Sequence, residues 1–246
     1  MKRAEAAQLQ VAAYWALKAL RSHMEPCEIL ERLRAAGVSL TPVDLSRYLG
    51  GFVLPSPSRA EALLKAIVQT NLLGEVLARV ARVDERGVVN TIQLAFDRDL
   101  LVLAAVTAYA IFRGKKITKV LTAAVNGVPL ASLTAFLLRA GLCVAKREAD
   151  AFPSRYAEVK YFAPDPPRYV SLYLPVSALR KGDRVLIVDD LLQSGRTLKA
   201  LLELAGKAGA RPVAVFSMLA VGSGWKRVVN GLGAETYIGY EIKWPI

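Results

Sequence analysis

Two adjacent carboxylates, Asp189 and Asp190, follow four apolar residues in the stretch VLIVDDLLQSGRTL, residues 185–198. The apolar run predicts a buried strand, and the small residues after it predict a turn into a helix that begins near Thr197. The first amide groups of a helix lack partners within the helix and attract phosphate. The stretch therefore predicts a site in which the carboxylates bind sugar hydroxyls and the turn binds a phosphate.

Three other interpretations of the paired aspartates are less well supported. An apolar strand that ends in acids also occurs in P-loop nucleotide-binding proteins, but the sequence lacks the G-x-x-x-x-G-K-[ST] loop of that class. Two carboxylates could bind a metal ion unaided, but the sequence offers no further acidic cluster to complete the coordination. A strand, turn and helix with a purely structural role is the third alternative.

The composition argues against several classes of enzyme. The 246-residue chain has one histidine, His23, which is too few for a histidine-based triad or zinc site. Cys27 and Cys143 lie far apart, in a predicted helix and a predicted strand, so a structural disulfide is not expected. The sequence shows neither a signal-like N-terminus nor an apolar run of membrane-spanning length, which by default predicts a cytoplasmic protein.

Positive charge is unevenly distributed along the chain. The net charge of +12 predicts an anionic partner. Residues 1–75 hold nine Lys/Arg and seven Asp/Glu, whereas residues 76–246 hold 24 and 14. A basic cluster at residues 113–119, RGKKITK, either adds phosphate contacts or forms a solvated loop.

The first 75 residues carry the patterns of several short helices. Pro26 and Gly37 mark the start and end of one of them. Thr41 as N-cap and Pro42 at the first helical position begin the next. A further helix follows the Pro/Ser loop LPSPS, with Ser58 as its predicted cap.

The remaining residues predict an α/β fold. Apolar and polar residues alternate over residues 77–97 around Asp-Glu-Arg-Gly, which predicts a β-hairpin. Beyond residue 99, apolar runs are separated by helical patterns, which favours a parallel sheet covered by helices on both faces. The predicted strands of this sheet are residues 119–125, 142–148, 184–190 and 212–219.

The segment VLIVDDLLQSGRT resembles the phosphoribosyl pyrophosphate (PRPP) signature of the type I phosphoribosyltransferases. KVLTAAVNGVPLASLTAFLL resembles that family's first strand and pyrophosphate loop, and LCVAKREA resembles its next strand. Residues 148–179 fall where the family has a flexible catalytic loop. The resemblance implies PRPP or nucleotide contacts from Val125, Asn126, Gly127, Lys146, Arg147, Asp189, Asp190, Leu191, Leu192, Gln193, Ser194, Gly195, Arg196 and Thr197.

The resemblance also assigns roles to these residues. Asp189 and Asp190 would hold the ribose hydroxyls, and residues 193–197 would surround the 5′-phosphate. Mg²⁺ would be carried on the diphosphate of PRPP, with no metal ligand from the protein itself. The family's pyrophosphate loop often contains a cis non-proline peptide, which is expected here near Val125–Asn126.

Gln193 departs from the family pattern. Family enzymes usually have a small residue or an acid at this position, and in purine enzymes the acid is the proposed base near the purine ring. A glutamine is neutral and cannot remove a proton. The catalytic residues are therefore unassigned, and ligand binding is better supported than turnover.

The segment LSRYLGGFVLPSPSRAEALLKAI, which follows the predicted turn GVSL, resembles the end of a repressor-type helix-turn-helix. The DNA-contacting residues implied by this resemblance are Ser39, Thr41, Pro42, Val43, Asp44, Ser46, Arg47 and Tyr48. A small helical bundle that dimerises or covers the larger domain is the alternative. The weak positive charge of residues 1–75 favours that alternative, because phosphate neutralisation supplies much of DNA affinity.

These patterns predict a helix-turn-helix domain at residues 1–75 and a phosphoribosyltransferase-like domain at residues 76–246. This plan resembles bacterial purine repressors and archaeal regulators of the same type. It implies a homodimer that binds double-stranded DNA and takes PRPP or a nucleotide as effector. The alternative is an active phosphoribosyltransferase that joins PRPP to a purine or pyrimidine base and uses its N-terminal helices for oligomerisation.

Overall fold

The four apolar runs predicted as strands, together with an unpredicted fifth strand at residues 235–242, form a five-stranded parallel sheet in the computed structural model, which describes residues 3–85, 88–152, 155–164 and 166–243. The strands in chain order are β1 (Lys119–Ala123), β2 (Gly141–Ala145), β3 (Tyr156–Pro164), β4 (Pro167–Pro175), β5 (Arg184–Leu192), β6 (Arg211–Val221) and β7 (Glu235–Ile242). The central sheet has the order β2-β1-β5-β6-β7, and β3 and β4 form a separate antiparallel ribbon.

Ten α-helices lie within the described residues. They are α1 (Arg3–Arg21), α2 (Pro26–Ala35), α3 (Pro42–Leu49), α4 (Pro57–Gln69), α5 (Leu72–Val80), α6 (Thr91–Phe96), α7 (Arg98–Phe112), α8 (Gly127–Leu138), α9 (Arg196–Lys207) and α10 (Lys226–Asn230). No helix in this part of the chain is long and apolar enough to cross a membrane.

The start of α3 follows the predicted capping pattern. The Thr41 hydroxyl accepts a 3.0 Å hydrogen bond from the Asp44 backbone N–H, and the Asp44 carboxylate accepts from the Thr41 N–H at 3.4 Å. Pro42 occupies the first helical position, where a backbone N–H is not needed. Gly37 ends the preceding helix with a φ of +80°, a conformation that favours glycine.

The central sheet is covered on both faces, as predicted. On one face, α7 and α8 pack against the sheet, and helices α1 to α5 extend the same core outward. Leu17 of α1 and Phe216 of β6 belong to this single buried cluster. On the other face, α9 and the β3–β4 ribbon bury a second cluster that includes Ile187 and Leu201. The N-terminal helices and the sheet therefore share one continuous core.

The predicted hairpin at residues 77–97 is wrong. Its first arm is the end of α5, its second arm is α6, and a single bridge between Val83 and Val89 joins the two sides. Five- and six-residue alternations fit a short helix as well as a strand, and the burial of Leu77 and Leu94 in the core favours the helices. Ser56, and not Ser58, caps α4.

The shared core predicts cooperative unfolding. Leu17 is fully buried, so Leu17→Ala should lower the free energy of unfolding by about 2–5 kcal/mol. Helical circular dichroism and tryptophan fluorescence should then report one coincident transition during urea denaturation. Val11→Ala on the same helix is the control, because Val11 is 42% exposed and should change stability little. Two separate transitions would show that the helices and the sheet unfold independently.

Candidate functional site

The carboxyl ends of β1, β2 and β5 surround the largest cavity at this edge of the sheet. Parallel strands end at the same edge, which is where ligands bind in open α/β sheets. The cavity has a volume of about 660 Å³. It is lined by Thr91, Ala123, Ala124, Val125, Asn126, Gly127, Lys146, Arg147, Glu148, Asp150, Asp189, Asp190, Leu191 and Thr197.

The two aspartates lie at the centre of this cavity on β5. Asp189 is 8% exposed, and its Oδ1 atom accepts a 3.1 Å hydrogen bond from the Asp190 backbone N–H. Burial raises the pKa of Asp189 well above its usual range, and the neighbouring charge of Asp190 raises it further. Burial also raises the pKa of Asp190. The pair therefore favours a ligand that donates hydrogen bonds or brings positive charge.

The loop between β1 and α8 packs directly against these carboxylates. A Cβ atom added at Gly127 would lie 2.5 Å from Thr122 Oγ1 and 3.2 Å from Asp189 Oδ1. A side chain at this position would force the Thr122 side chain, and to a smaller extent that of Asp189, to shift. The peptide between Ala124 and Val125 is cis, one bond before the expected position. The loop backbone from residue 124 to residue 127 thus borders the cavity beside Asp189.

The turn after β5 has the geometry of an anion site. Gly195 has a φ of +75° and precedes α9 without offering a side-chain cap, so it leaves amide groups at the helix start available to a ligand. A Cβ atom at Gly195 would meet Val228 Cγ2 at 2.9 Å and the Trp225 Cα atom at 3.0 Å. Trp225 is buried behind the turn. The sequence patterns did not indicate that Trp225 packs against this turn, although Gly224 and Trp225 are residue types that often occur where chain segments pack closely.

The β3–β4 ribbon contacts the turn after β5 through Tyr161. The Tyr161 hydroxyl lies 3.3 Å from Thr197 Oγ1. Val159 and Leu172 of the ribbon are buried in the same core as α9. The segment that the resemblance assigned to a flexible catalytic loop therefore contains a ribbon packed beside the turn.

Charged side chains at the end of β2 face the same cavity. Lys146 Nζ lies 2.7 Å from Asp150 Oδ2, and this hydrogen bond raises the pKa of Lys146. Glu148 and Asp150 also line the cavity, and the sequence patterns did not identify them as site residues. Together with Asp189 and Asp190, they give the cavity four carboxylates against two basic side chains. A bare diphosphate would be repelled, whereas a diphosphate that carries a cation would be accepted.

The donor set fits a cation that arrives with its ligand. Among the described residues, no group of three or more His, Cys, Asp or Glu side chains is placed to bind a metal ion. Mg²⁺ is usually bound through one or two carboxylates together with substrate phosphates. The described residues therefore offer no complete Mg²⁺ site of their own, and the phosphates of a ligand would have to supply oxygens that bind the cation.

Most of the predicted ligand-binding residues come together in one place. Nine of them line the cavity, and residues 193–196 form the adjoining turn. Leu192 does not contribute its side chain, because it is 2% exposed and packs in the core under α9. The predicted contact at Leu192 is therefore limited to its backbone.

Helix α6 covers the cavity next to the aspartates. Thr91, at its first position, lines the cavity. Thr91 and Leu94 also border a small gap with Asp190, Met218 and Leu219. The erroneous hairpin prediction hid this contribution, because α6 lies close to Asp190 only in the folded chain.

The residues predicted to contact DNA lie on and before α3. Six of the eight are exposed: Ser39, Thr41, Pro42, Val43, Ser46 and Arg47. Asp44 and Tyr48 are half-buried. The carboxylate of Asp44 is engaged in the cap of α3, and the Tyr48 ring packs against the helical core. Arg47 makes no ion pair with any residue that the structure describes.

Comparison with known proteins identifies the class. The family model "Phosphoribosyl transferase domain" matches residues 98–232, which is more than half of the chain. The chain therefore belongs to the phosphoribosyl transferase domain family. Its fold resembles adenine phosphoribosyltransferase from Rhodothermus marinus, with a TM-score of 0.61 and 21% identity over 69% of this chain and 98% of that chain.

Curated relatives include both regulators and enzymes. The purine biosynthesis transcriptional repressor PurR of Bacillus subtilis is 25% identical over 157 residues, which is 64% of this chain and 54% of the repressor. Xanthine phosphoribosyltransferase of Chloroflexus aurantiacus is 37% identical over 95 residues, which is 39% of this chain and 45% of the enzyme. The chain thus matches about half of the length of each of these relatives.

The burial of Asp189 predicts that removing its charge has opposite effects on binding and stability. Asp189→Asn should weaken PRPP binding at least tenfold in calorimetric titration. At pH 7 it should raise the free energy of unfolding, because a neutral amide replaces a carboxyl whose ionised form is disfavoured by burial. Since the pKa of Asp189 is raised in the folded state, this stabilisation should disappear as the pH falls to about 4, where the unfolded-state carboxyl is protonated.

Asp183→Asn is the matched control. Burial opposes the shift, but hydrogen bonds from the Thr118 hydroxyl and the Arg180 N–H hold the pKa of Asp183 below its usual value. This substitution should therefore destabilise the protein near neutral pH and leave PRPP binding unchanged. Unchanged PRPP affinity in Asp189→Asn would refute the site assignment.

Proposed function

We propose that the protein is a DNA-binding transcription regulator whose phosphoribosyltransferase-like domain binds PRPP or a nucleotide as effector. The observation that carries this proposal is the combination, in one chain, of paired aspartates in a cavity beside the uncapped start of α9 with the exposed helix α3. Residues 1–75 would form the DNA-binding part and residues 76–246 the ligand-binding part. The match to PurR of Bacillus subtilis supports the regulator, because that relative is named as a repressor.

Gln193 favours a regulator over an enzyme. It occupies the position at which the family's purine enzymes have a proposed general base, and an amide cannot accept the proton. Asp189 and Asp190, which line the cavity, would bind ribose hydroxyls. The chain therefore has the residues that PRPP binding would require.

Helices α8, α7 and α1 provide a route from the ligand to the DNA-binding helices. Helix α8 begins at Gly127 in the ligand site and packs along α7, which in turn packs against α1 and α4. The Gln8 side chain of α1 donates a hydrogen bond to the Leu137 carbonyl at the other end of α8. A ligand that favours one arrangement of this helical stack would change DNA affinity. A two-fold dimer would read a palindromic operator.

Mg²⁺ is the proposed cofactor, carried with PRPP. Its positive charge would offset the four carboxylates around the cavity. Asp189 and Asp190 would bind the ribose hydroxyls. The backbone N–H groups of the first turn of α9 would bind the 5′-phosphate.

An active phosphoribosyltransferase is the second candidate, supported by the enzyme relatives. Asp189 and Asp190 would then position the ribose, while Lys146 or Arg147 would stabilise the departing pyrophosphate. Tyr156, Lys160, Tyr161 and Arg168 of the ribbon would help to exclude water. Steady release of pyrophosphate from PRPP with any nucleobase would establish this activity.

Arg47→Ala tests the DNA-binding half of the proposal. Loss of this exposed guanidinium should weaken binding to a selected operator fragment at least fivefold in fluorescence anisotropy, with unchanged circular dichroism. Arg155→Ala is the control, because Arg155 is exposed, lies just before the β3–β4 ribbon and makes no ion pair with a described residue. If the wild-type protein retains no DNA even at low salt, the regulator proposal fails.

A further inference from the structure

The amino ends of the parallel strands carry most of the excess positive charge of the protein. They lie at the edge of the sheet opposite to the ligand cavity, because all five strands run in the same direction. We call this surface the basic edge and define it as residues 113–119, 139–141, 180–184, 207–211 and 230–235. It holds ten Lys/Arg and two Asp/Glu, a balance of +8 out of +12 for the whole chain.

Strand register and direct contacts show that these segments form one surface. Arg184 and Arg211 are register partners at the start of β5 and β6. Arg184 Nε donates a 2.9 Å hydrogen bond to the Lys115 carbonyl. The side chains of Lys115, Arg184 and Arg211 line a common cavity of about 170 Å³. Basic residues that are up to 96 positions apart in sequence thus meet at one edge.

Internal ion pairs neutralise only a small part of this charge. Lys115 pairs with Glu235, Arg113 pairs with Glu61, and Lys207 pairs with Glu203. Five other basic side chains of the edge are exposed and make no ion pair with a described residue; they are Lys116, Arg139, Arg180, Lys181 and Arg211. Like charges at this density repel one another and favour a polyanionic partner.

The basic edge lies close to the start of α3. Arg59, in the first turn of α4, donates a 2.8 Å hydrogen bond to the Ser39 carbonyl just before α3. Glu61, two residues further along α4, pairs with Arg113 of the basic edge. The path from Ser39 to Arg113 therefore consists of two arginine side chains and two helical residues, which together span roughly 20 Å. This length corresponds to about six base pairs of B-DNA at 3.4 Å per pair.

We propose that the basic edge binds the sugar-phosphate backbone of DNA beside the groove that α3 enters. This proposal rests on the DNA-binding part of the proposed function. It also accounts for the small excess of charge in residues 1–75, because the phosphate contacts would come mainly from the sheet. A membrane surface fits less well, since none of the exposed large apolar side chains of the described residues lies in the basic edge.

Neutralisation of the basic edge tests the proposal. The variant is Lys116→Gln, Lys181→Gln and Arg211→Gln together in the full chain. The matched control is Arg155→Gln, Lys199→Gln and Lys243→Gln, which removes the same charge from exposed residues outside the edge. Binding to a 30-base-pair duplex of random sequence is measured by fluorescence anisotropy from 50 to 300 mM KCl. Each phosphate contact contributes about 0.9 to the slope of log K against log salt.

The expected result is a slope shallower by up to ~2.7 in the edge variant, with the slope of the control close to that of the wild type. Equal slopes in the edge variant and the wild type would overturn the proposal while leaving DNA binding by α3 intact. Loss of binding to phosphatidylserine vesicles with unchanged DNA binding would also overturn it, in favour of a membrane contact. Failure of all three proteins to bind duplex DNA would refute the proposed function itself.

Discussion

The ligand site depends on the close contact between Gly127 and Asp189. A Cβ atom at the start of α8 would lie 2.5 Å from Thr122 Oγ1 and 3.2 Å from Asp189 Oδ1, so a glycine at this position lets the loop after β1 pack closely beside β5. Asp189 is almost fully buried beside this loop, and burial raises its pKa. Burying a carboxylate in this way costs stability, and such a cost is typical of residues retained for function. The loop after β1, the two aspartates and the turn before α9 are therefore held next to one another by the packing of the folded chain.

The distribution of charge divides the molecule into two functional edges. The carboxyl edge of the sheet is lined by four acids and suits a ligand that carries a cation, whereas the amino edge concentrates a balance of +8. Between them, a continuous apolar core joins the sheet to the N-terminal helices. A ligand on one edge and a polyanion on the other would thus act on the same packed body, which is the arrangement that linkage between two sites requires.

The local parts of the site could be predicted from the sequence. The apolar strand, the paired acids and the small-residue turn are contiguous, so their relative positions follow from strand and helix geometry. The cap at Thr41 was predictable for the same reason, and the parallel sheet followed from the alternation of apolar runs with helical patterns. The role of Glu148 and Asp150 was not, because it depends on where β2 ends relative to β5. Helix α6 was missed because six residues are too few for periodicity to separate helix from strand. The basic edge became visible only when the strand order brought Arg184 beside Arg211.

The most direct test of the site is a calorimetric titration of the protein with Mg²⁺ and PRPP in two buffers that differ in ionisation enthalpy. A ligand that stabilises the ionised aspartates must release protons, because their pKa values are raised in the free protein. At a pH between the usual aspartate value of about 4 and neutrality, the account predicts saturable binding with net proton release that is lost in Asp189→Asn. Binding with the same proton release in Asp189→Asn, or no binding of PRPP at all, would contradict it.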